Sequence, residues 1–485
     1  RAFGNAYVEY EPKLGWGDNM SLRFREQAGL DIWTSDYADI AEIGSAANTK
    51  GQVDNYGSQH NVFNNLFTAN FDGKFGNEDE WGVNVVLGNE VNHENIRTWS
   101  YTGTNLNFYG LPTISNATSL SAYEYGRQER TVGFFGSASV SWRDQLYLTV
   151  TGRNDYVSTM PRGSRSFFYP SVSLGWEFTK LSFLENNSVL NYGKLRGSFA
   201  QVGQAGQYYK TYYTQPRYGG GFYQYTPVAY PLPSGVSSYA PSSTFYDENL
   251  KPQNTKSYEL GADLTFLNGL VSLNYTYSRQ NVKDQIFEVP LAGSTGASSM
   301  MMNGGKMHSN VHEITLGISP VDTKNFKLDF AFNFSKIDNY VDELAPGVES
   351  IMLGGFVTPQ VRAGIGDKFP VIYGVGYKRD GEGRIVVNEK GIPEAGETQV
   401  IGKVSPDFRL GFNTNIELYK FRLAAVFDWK QGGQMYSGTA GETNFYGTSK
   451  LSGEVRKSDK YHFDYAAVEQ KGVDADGKPI YVPYT

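Results

Sequence analysis

Along residues 146–178 the chain changes from apolar to polar at almost every step. Leu146, Leu148 and Val150 stand on one side of an extended backbone, with Tyr147, Thr149, Thr151, Arg153 and Asp155 on the other. After a Pro/Arg/Gly/Ser turn, Phe168, Pro170, Val172, Leu174, Trp176 and Phe178 alternate with Tyr169, Ser171, Ser173, Gly175 and Glu177. The side-chain period of a strand is two, so this stretch predicts an antiparallel hairpin with one apolar and one polar face. Taken alone it fits a β-sandwich, with the apolar face in a core and the polar face in water.

The remainder of the chain repeats the pattern in a way a sandwich does not explain. Strands are predicted near 5–11, 20–32, 63–75, 81–92, 132–142, 146–155, 168–178, 195–202, 258–266, 271–277, 308–318, 326–334, 408–418 and 421–429. Most have about nine residues or more, the length a tilted strand needs to cross a bilayer. Short connections near 12–18, 73–79, 143–145, 268–269, 322–325 and 419–420 alternate with long polar ones near 35–58, 98–127, 204–255, 281–307 and 338–403. Short turns at one rim and long loops at the other belong to outer-membrane barrels. The predicted fold is therefore all-β: a transmembrane, antiparallel, up-and-down β-barrel. The Leu/Phe/Val/Trp set faces lipid, and the Ser/Thr/Asn/Glu/Arg set lines the lumen.

Composition agrees with this pattern. The chain of 485 residues holds 30 Phe, 35 Tyr and 7 Trp, yet its mean hydropathy is −0.44. No apolar run approaches the roughly 20 residues of a membrane helix, whereas a barrel hides its apolar surface by alternating it with lumen polarity. There is no cysteine, which removes disulfides, thiol nucleophiles and Cys-ligated metals. A net charge of −7 with no basic stripe argues against nucleic acid as a partner. The sequence opens inside a strand-like segment with no signal peptide, so residue 1 is not expected to begin the gene product.

Candidate chemistry is sparse. No G-x-S-x-G elbow, P-loop or G-x-G-x-x-G is present, and no enzyme or cofactor is expected. His308 and His312 have HEXXH-like spacing, but four residues of strand span about 13 Å, too far for one ion. Asp474 and Asp476 sit in a fragment of calcium-loop spacing without an acid at its twelfth position, better read as a polar turn. Arg153 and Asp155 are candidates for a wall-bracing ion pair or for part of a substrate path, and a filled barrel interior favours bracing. They join Glu177, Glu259 and Asp263 as lumen-lining candidates. Within 208–230, Tyr208, Tyr209, Tyr212, Tyr213, Tyr218, Phe222, Tyr223, Tyr225 and Tyr230 lie among glycines and prolines. Rings with a polar tip suit loop packing, a partner's surface or ligand stacking.

Several segments, in order, resemble the SusC/RagA class of TonB-dependent outer-membrane transporters. They are TGRNDYVS with FFYPSVSLGW, LRGSFAQVGQ, LKPQNTKSYELGADL, NVHEITLGISP, and IGKVSPDFRLGF followed by YKFRLAAVFDWKQGGQMYSG. The resemblance runs from about residue 133 to 436; 1–130 matches in layout only. One departure is Val311, where the class usually has glycine two residues before the acidic Glu313. The resemblance implies a 22-stranded barrel around an N-terminal plug, a SusD-like surface lipoprotein as lid, and energy delivered by TonB. Residues 1–485 would then be the barrel portion, about fourteen strands, with the plug and the first and last strands outside this sequence. The implied activity is active uptake of an oligosaccharide or oligopeptide across the outer membrane of a Gram-negative bacterium, with outer-membrane lipid around the wall. A passive porin or secretion-associated barrel is the rival reading, and an outer-membrane enzyme a more distant one.

Overall fold

The computed structural model describes the chain except residues 18, 47, 186, 207–212, 215–217, 224–225, 230–239, 242, 357, 458–465, 474–477 and 484–485. For 213–214, 218–223, 226–229, 240–241 and 470–473 it describes the backbone alone. Fourteen strands belong to one antiparallel sheet whose order follows the chain. They are β1 (Ala2–Tyr10), β2 (Met20–Ile43), β3 (Lys50–Phe75), β4 (Trp81–Leu106), β5 (Ala117–Trp142), β6 (Leu146–Val157), β7 (Ser166–Glu177), β8 (Leu190–Gln204), β9 (Gln253–Phe266), β10 (Val271–Lys283), β11 (Lys306–Asp322), β12 (Phe326–Glu343), β13 (Pro406–Leu418) and β14 (Phe421–Gly432). The strand count and the all-β, up-and-down order are those the alternation predicts. No helix among the described residues is long and apolar enough to cross a membrane.

The chain divides into two compact units, 1–264 with 282–303, and 265–281 with 304–485. In the first, the apolar positions of β4 to β8 stay uncovered: Leu87, Phe134, Leu148, Phe168, Leu174 and Leu195 are all exposed. The polar positions bond across strands, Ser139 with Thr149 at 2.9 Å and Thr151 with Ser171 at 2.5 Å. A soluble sheet would hide the first set and leave the second in water; here the arrangement is reversed, as a lipid-facing wall requires. In the second unit Phe330, Phe332 and Phe334 of β12 share a face with Leu410, Phe412 and Ile416 of β13. Phe330 stacks on Phe412 at 5.9 Å.

The segments 35–59 and 98–127 depart from expectation. They are not loops: β2 runs 24 residues and β3, β4 and β5 run 26 each, leaving connections of only 44–49 and 107–116. A strand of that length reaches about 80 Å at its usual rise, far beyond a hydrocarbon layer of about 30 Å. Outside the bilayer both faces meet water, so apolar alternation disappears while the backbone ladder continues. Cross-strand pairs hold these extensions. Trp33 stacks on His60 at 3.8 Å, Tyr37 on Tyr56 at 5.3 Å, and Thr102 donates to Asp54 at 2.6 Å.

Turn chemistry matches the short rim. Arg143 and Asp144 both have positive φ, 50° and 48°, the requirement of a two-residue type I′ turn. Asn268 and Gly269 do turn the chain, but Leu267 is left-handed as well (φ 52°), so four residues rather than two make the connection. Buried apolar clusters lie at the ends of the main ladder or in the segments beyond it. Val157, Met160 and Leu250 pack with Phe167, Ala205 and Ile286. Ile351, Ala363, Val371 and Ile372 are buried in a four-stranded sheet of Ser350–Gly355, Gln360–Gly364, Val371–Tyr377 and Ala395–Lys403.

Beyond that sheet, Asp380 closes a tight hairpin. Its Oδ1 accepts the backbone N–H groups of Glu382 (3.0 Å) and Arg384 (2.9 Å), and its Oδ2 takes Arg384 Nε at 2.7 Å. Burial alone would push the carboxyl up, but Arg384 and the two N–H donors bring it below its ordinary value. A carboxyl whose folded value is depressed contributes stability above its unfolded pKa of about 3.9, and that contribution fades as pH falls through the folded value. Hydrogen exchange across 378–394, corrected for its intrinsic pH dependence, should therefore quicken in acid. In Asp380→Asn it should be fast throughout; unchanged protection in that variant would remove Asp380 from the account.

Candidate functional site

The polar face of the first unit carries two charged groupings. The first spans β4, β5 and β6. Glu90 pairs in register with Gly133, and Gly133 with Asp155, so the two carboxylates flank a residue with no side chain. Arg153 fills that gap. Its Nη2 donates to Glu90 Oε2 at 2.9 Å and its Nε to Asp155 Oδ1 at 2.8 Å, while Cζ lies 5.5 Å from the Phe135 ring centroid. A Cβ at residue 133 would collide with both the Arg153 guanidinium and the Asp155 carboxylate, so glycine is what permits the bridge. Asn64 extends the network, donating to Glu90 at 3.1 Å and to Asn92 at 2.6 Å. Asp155 is 7% exposed. One cation bonded to two partly shielded carboxylates ties three strands together and leaves the grouping with one negative charge in excess.

The second grouping lies on β6 to β9. Glu177 pairs in register with Lys194, and Gly175 with Arg196. Arg196 Nε donates to Asp263 at 3.0 Å. Its guanidinium lies where a Cβ on Gly261 would stand. Lys194 Nζ sits 4.5 Å from the centroid of the Tyr147 ring. Tyr147, Lys194 and Arg196, with Thr149, Ser173, Ser198 and Glu259, line a recess of about 370 Å³. Its hydroxyls, phenol, carboxylate and two cations can bond a polar group of either sign.

The sequence-stated candidates thus separate into Arg153 with Asp155, and Glu177, Glu259 and Asp263 around Lys194 and Arg196. Glu90, Gly133, Lys194 and Arg196 were not singled out from sequence. Gly133 carried a signal, because a glycine inside an alternating strand marks a close approach. The partner of Glu90 carried none, since it lies two strands and 63 residues away. Of the aromatic set, Tyr208, Tyr209, Tyr212, Tyr225 and Tyr230 lie outside the described residues. Tyr213, Tyr218, Phe222 and Tyr223 fall in short backbone ladders, Tyr213–Thr214 with Ala240–Pro241 and Tyr218–Tyr223 with Thr226–Ala229. The fragment at 474–477 is also outside the described residues. His308 and His312 lie on β11, as expected, with different partners: Asp342 at 2.7 Å and the Tyr275 hydroxyl at 3.0 Å.

In the second unit a recess of about 570 Å³ is lined by Phe356, Pro359, Val361, Ile372, Met435 and Tyr436, with Lys430 at its edge. Gln434, which also borders it, is committed to the backbone, accepting from Lys403 N at 2.9 Å and donating its own N–H to Lys403 O at 2.8 Å. This recess offers an apolar group a place and offers a hydroxyl-rich ligand few free partners.

A one-sheet, up-and-down array with an apolar outer face and a braced, charged inner face defines a membrane β-barrel. The chain belongs to the TonB-dependent receptor-like β-barrel family, whose model matches residues 1–462. The resemblance to the SusC/RagA class holds among its relatives. It is 26% identical over 235 residues to the TonB-dependent receptor SusC of Bacteroides thetaiotaomicron, covering 47% of this chain and 22% of that protein. Over 382 residues it is 23% identical to the TonB-dependent receptor P3 of Formosa agariphila, covering 74% and 36%. The fold matches the RagAB peptide transporter with a TM-score of 0.71 at 16% identity, over 89% of this chain and 48% of that one. The chain spans less than half the length of these relatives. The family is one of outer-membrane receptors and transporters, not of enzymes.

Proposed function

We propose that this chain is the barrel wall of a TonB-dependent importer that carries a bulky nutrient across the outer membrane, with a SusD-like lipoprotein as lid and a plug supplied by sequence before residue 1. The observation that carries the reading is the charged inner face: Arg153 between Glu90 and Asp155, and the polar recess around Lys194 and Arg196, on a wall whose other face is apolar. No bond is broken in this mechanism. The wall holds a fixed polar surface against which a plug can seat and move, and the extended outer ends of β2 to β5 present surface to lid and ligand. Oligosaccharide and oligopeptide are both substrates the class suggests. The match to a protein described as a peptide transporter and the apolar recess beside Lys430 favour a peptide, whose side chains can fill such a hole.

The aromatic residues of 207–233, including Tyr218, Phe222, Tyr223 and Tyr225, are proposed to contact lid or ligand. Ordering a long loop costs about 1–2 kcal/mol of backbone entropy per residue, and rings buried on a partner would offset that. Uptake by cells carrying the full-length protein tests the whole reading. It should stop when TonB is deleted and weaken when those four residues are changed together to Ser, with the barrel still folded. Uptake that persists without TonB would indicate the passive porin. Unchanged uptake and lid binding in the fourfold variant would mean that the rings pack only among themselves.

Orientation follows from the rims. The short turns at 143–145, 267–270, 323–325 and 419–420 are assigned to the periplasm, and 44–49, 107–116 and 344–349 to the outside. Single cysteines at these sites, labelled on intact cells with an impermeant maleimide, should react only in the second set. Reaction confined to the first would invert the assignment.

A further inference from the structure

The outer face of three strands in the second unit changes character just past its apolar belt. Ile314, Leu316 and Ile318 of β11 share a face with Phe330, Phe332 and Phe334 of β12, in a ladder unbroken from His308 to Ile318. Further along that face, His312 stands opposite Lys336 and Asn310 opposite Asp338. On β10 the alternation that begins with Val271 and Leu273 continues as Tyr275, Tyr277 and Arg279. The Tyr275 hydroxyl meets His312 Nδ1 at 3.0 Å. Tyr277 donates to Asn310 Oδ1 at 3.2 Å, and Arg279 Nη1 donates to the same oxygen at 3.1 Å.

Tyrosine rings at the edge of an apolar belt are the mark of an interfacial girdle. A girdle does not account for the surplus of cations. Arg279 spends its bonds on two amide oxygens, of Asn310 and Asn281, and no ion pair to it occurs among the described residues. Lys336 lies 3.4 Å from Asp338, a carboxylate that Lys368 already holds at 2.6 Å. Arg279, Lys336 and Lys368 therefore bring three cations to this patch, and Asp338 is the carboxylate that the two lysines share. A guanidinium with open N–H groups matches a pair of phosphate oxygens.

We propose that this patch docks the phosphate of a membrane lipid headgroup, received by Arg279 with Lys336 and His312 beside it, while the acyl chains lie down the Ile314 to Phe334 belt. The assignment rests on the membrane-barrel reading. Continuity with the apolar belt selects a lipid over a soluble anion, and the unpaired positive charge selects an anionic headgroup. Cations that merely reached past the belt into water would be indifferent to headgroup charge.

The test uses the full-length protein in phosphatidylcholine nanodiscs containing phosphatidic acid, with bound phosphatidic acid counted by native mass spectrometry. Insertion is scored first, as resistance of the folded band to detergent at room temperature. Arg279→Gln combined with Lys336→Gln should insert normally and retain about tenfold less phosphatidic acid, the loss of one charge-assisted hydrogen bond or more. Arg143→Gln, at a short turn, should retain as much as the parent protein. Equal retention in the double variant overturns the inference alone; failure of the parent protein to insert overturns the membrane reading and the inference with it. Displacement of the lipid by inorganic phosphate at equal concentration would show a site for a free anion, and would likewise overturn it.

Discussion

Arginine placed at Leu148, Val172 or Phe330 should destabilise the barrel by about 2–4 kcal/mol, the cost of a cation on the lipid face near the bilayer midplane. Leu148 and Val172 are 43% and 39% exposed, so neither buries its side chain in protein, and the penalty would come from lipid rather than from a disrupted core. Phe330 adds the loss of its stack on Phe412. One residue away the same change should be far better tolerated. Thr149 and Ser173 both line the 370 Å³ recess on the polar face, where a guanidinium finds Glu259 and a hydrated surface. Unfolding by urea in lipid vesicles, single variants against the parent protein, measures the difference. Equal effects on the two faces would mean that the apolar side is not the lipid side.

Removing the cation from the β4–β6 network is expected to have the next largest effect. In Arg153→Leu the carboxylates of Glu90 and Asp155 remain on either side of Gly133 with nothing between them. Leaving a buried polar group without its partner costs about 1–3 kcal/mol, and more where the group is charged and shielded from water. The lower part of that range is expected for Glu90, whose side chain is 27% exposed. The penalty should belong to the orphaned acids rather than to the absent arginine. Adding Glu90→Gln and Asp155→Asn to Arg153→Leu should therefore recover most of the stability, because replacing a whole ionic group is often close to neutral. A triple variant no more stable than the single would show that Arg153 acts by packing on Phe135 instead.

The two groupings on the inner face differ in what they leave available. Arg153 is held between two carboxylates, so its own charge is fully met and the grouping keeps one negative charge in excess. Among the described residues Lys194 engages the face of Tyr147 in a polar recess, and Lys430 borders an apolar one.

Alternation by itself determined the strand count, the two faces and the short turns, since each depends on neighbours in sequence: a period of two, and residues such as Arg143–Asp144 that close a hairpin. It also placed Arg153 beside Asp155, because positions i and i+2 of a strand share a face. Alternation failed at 35–59 and 98–127, where the strands continue into water and nothing forces the two faces apart. What only the tertiary structure decided is which charges meet across strands. Glu90 reaches Arg153 over the bare backbone of Gly133, and Arg196 reaches Asp263 across 67 residues of chain. Those contacts depend on register between whole strands, which the ladder of backbone hydrogen bonds sets and no local spacing records.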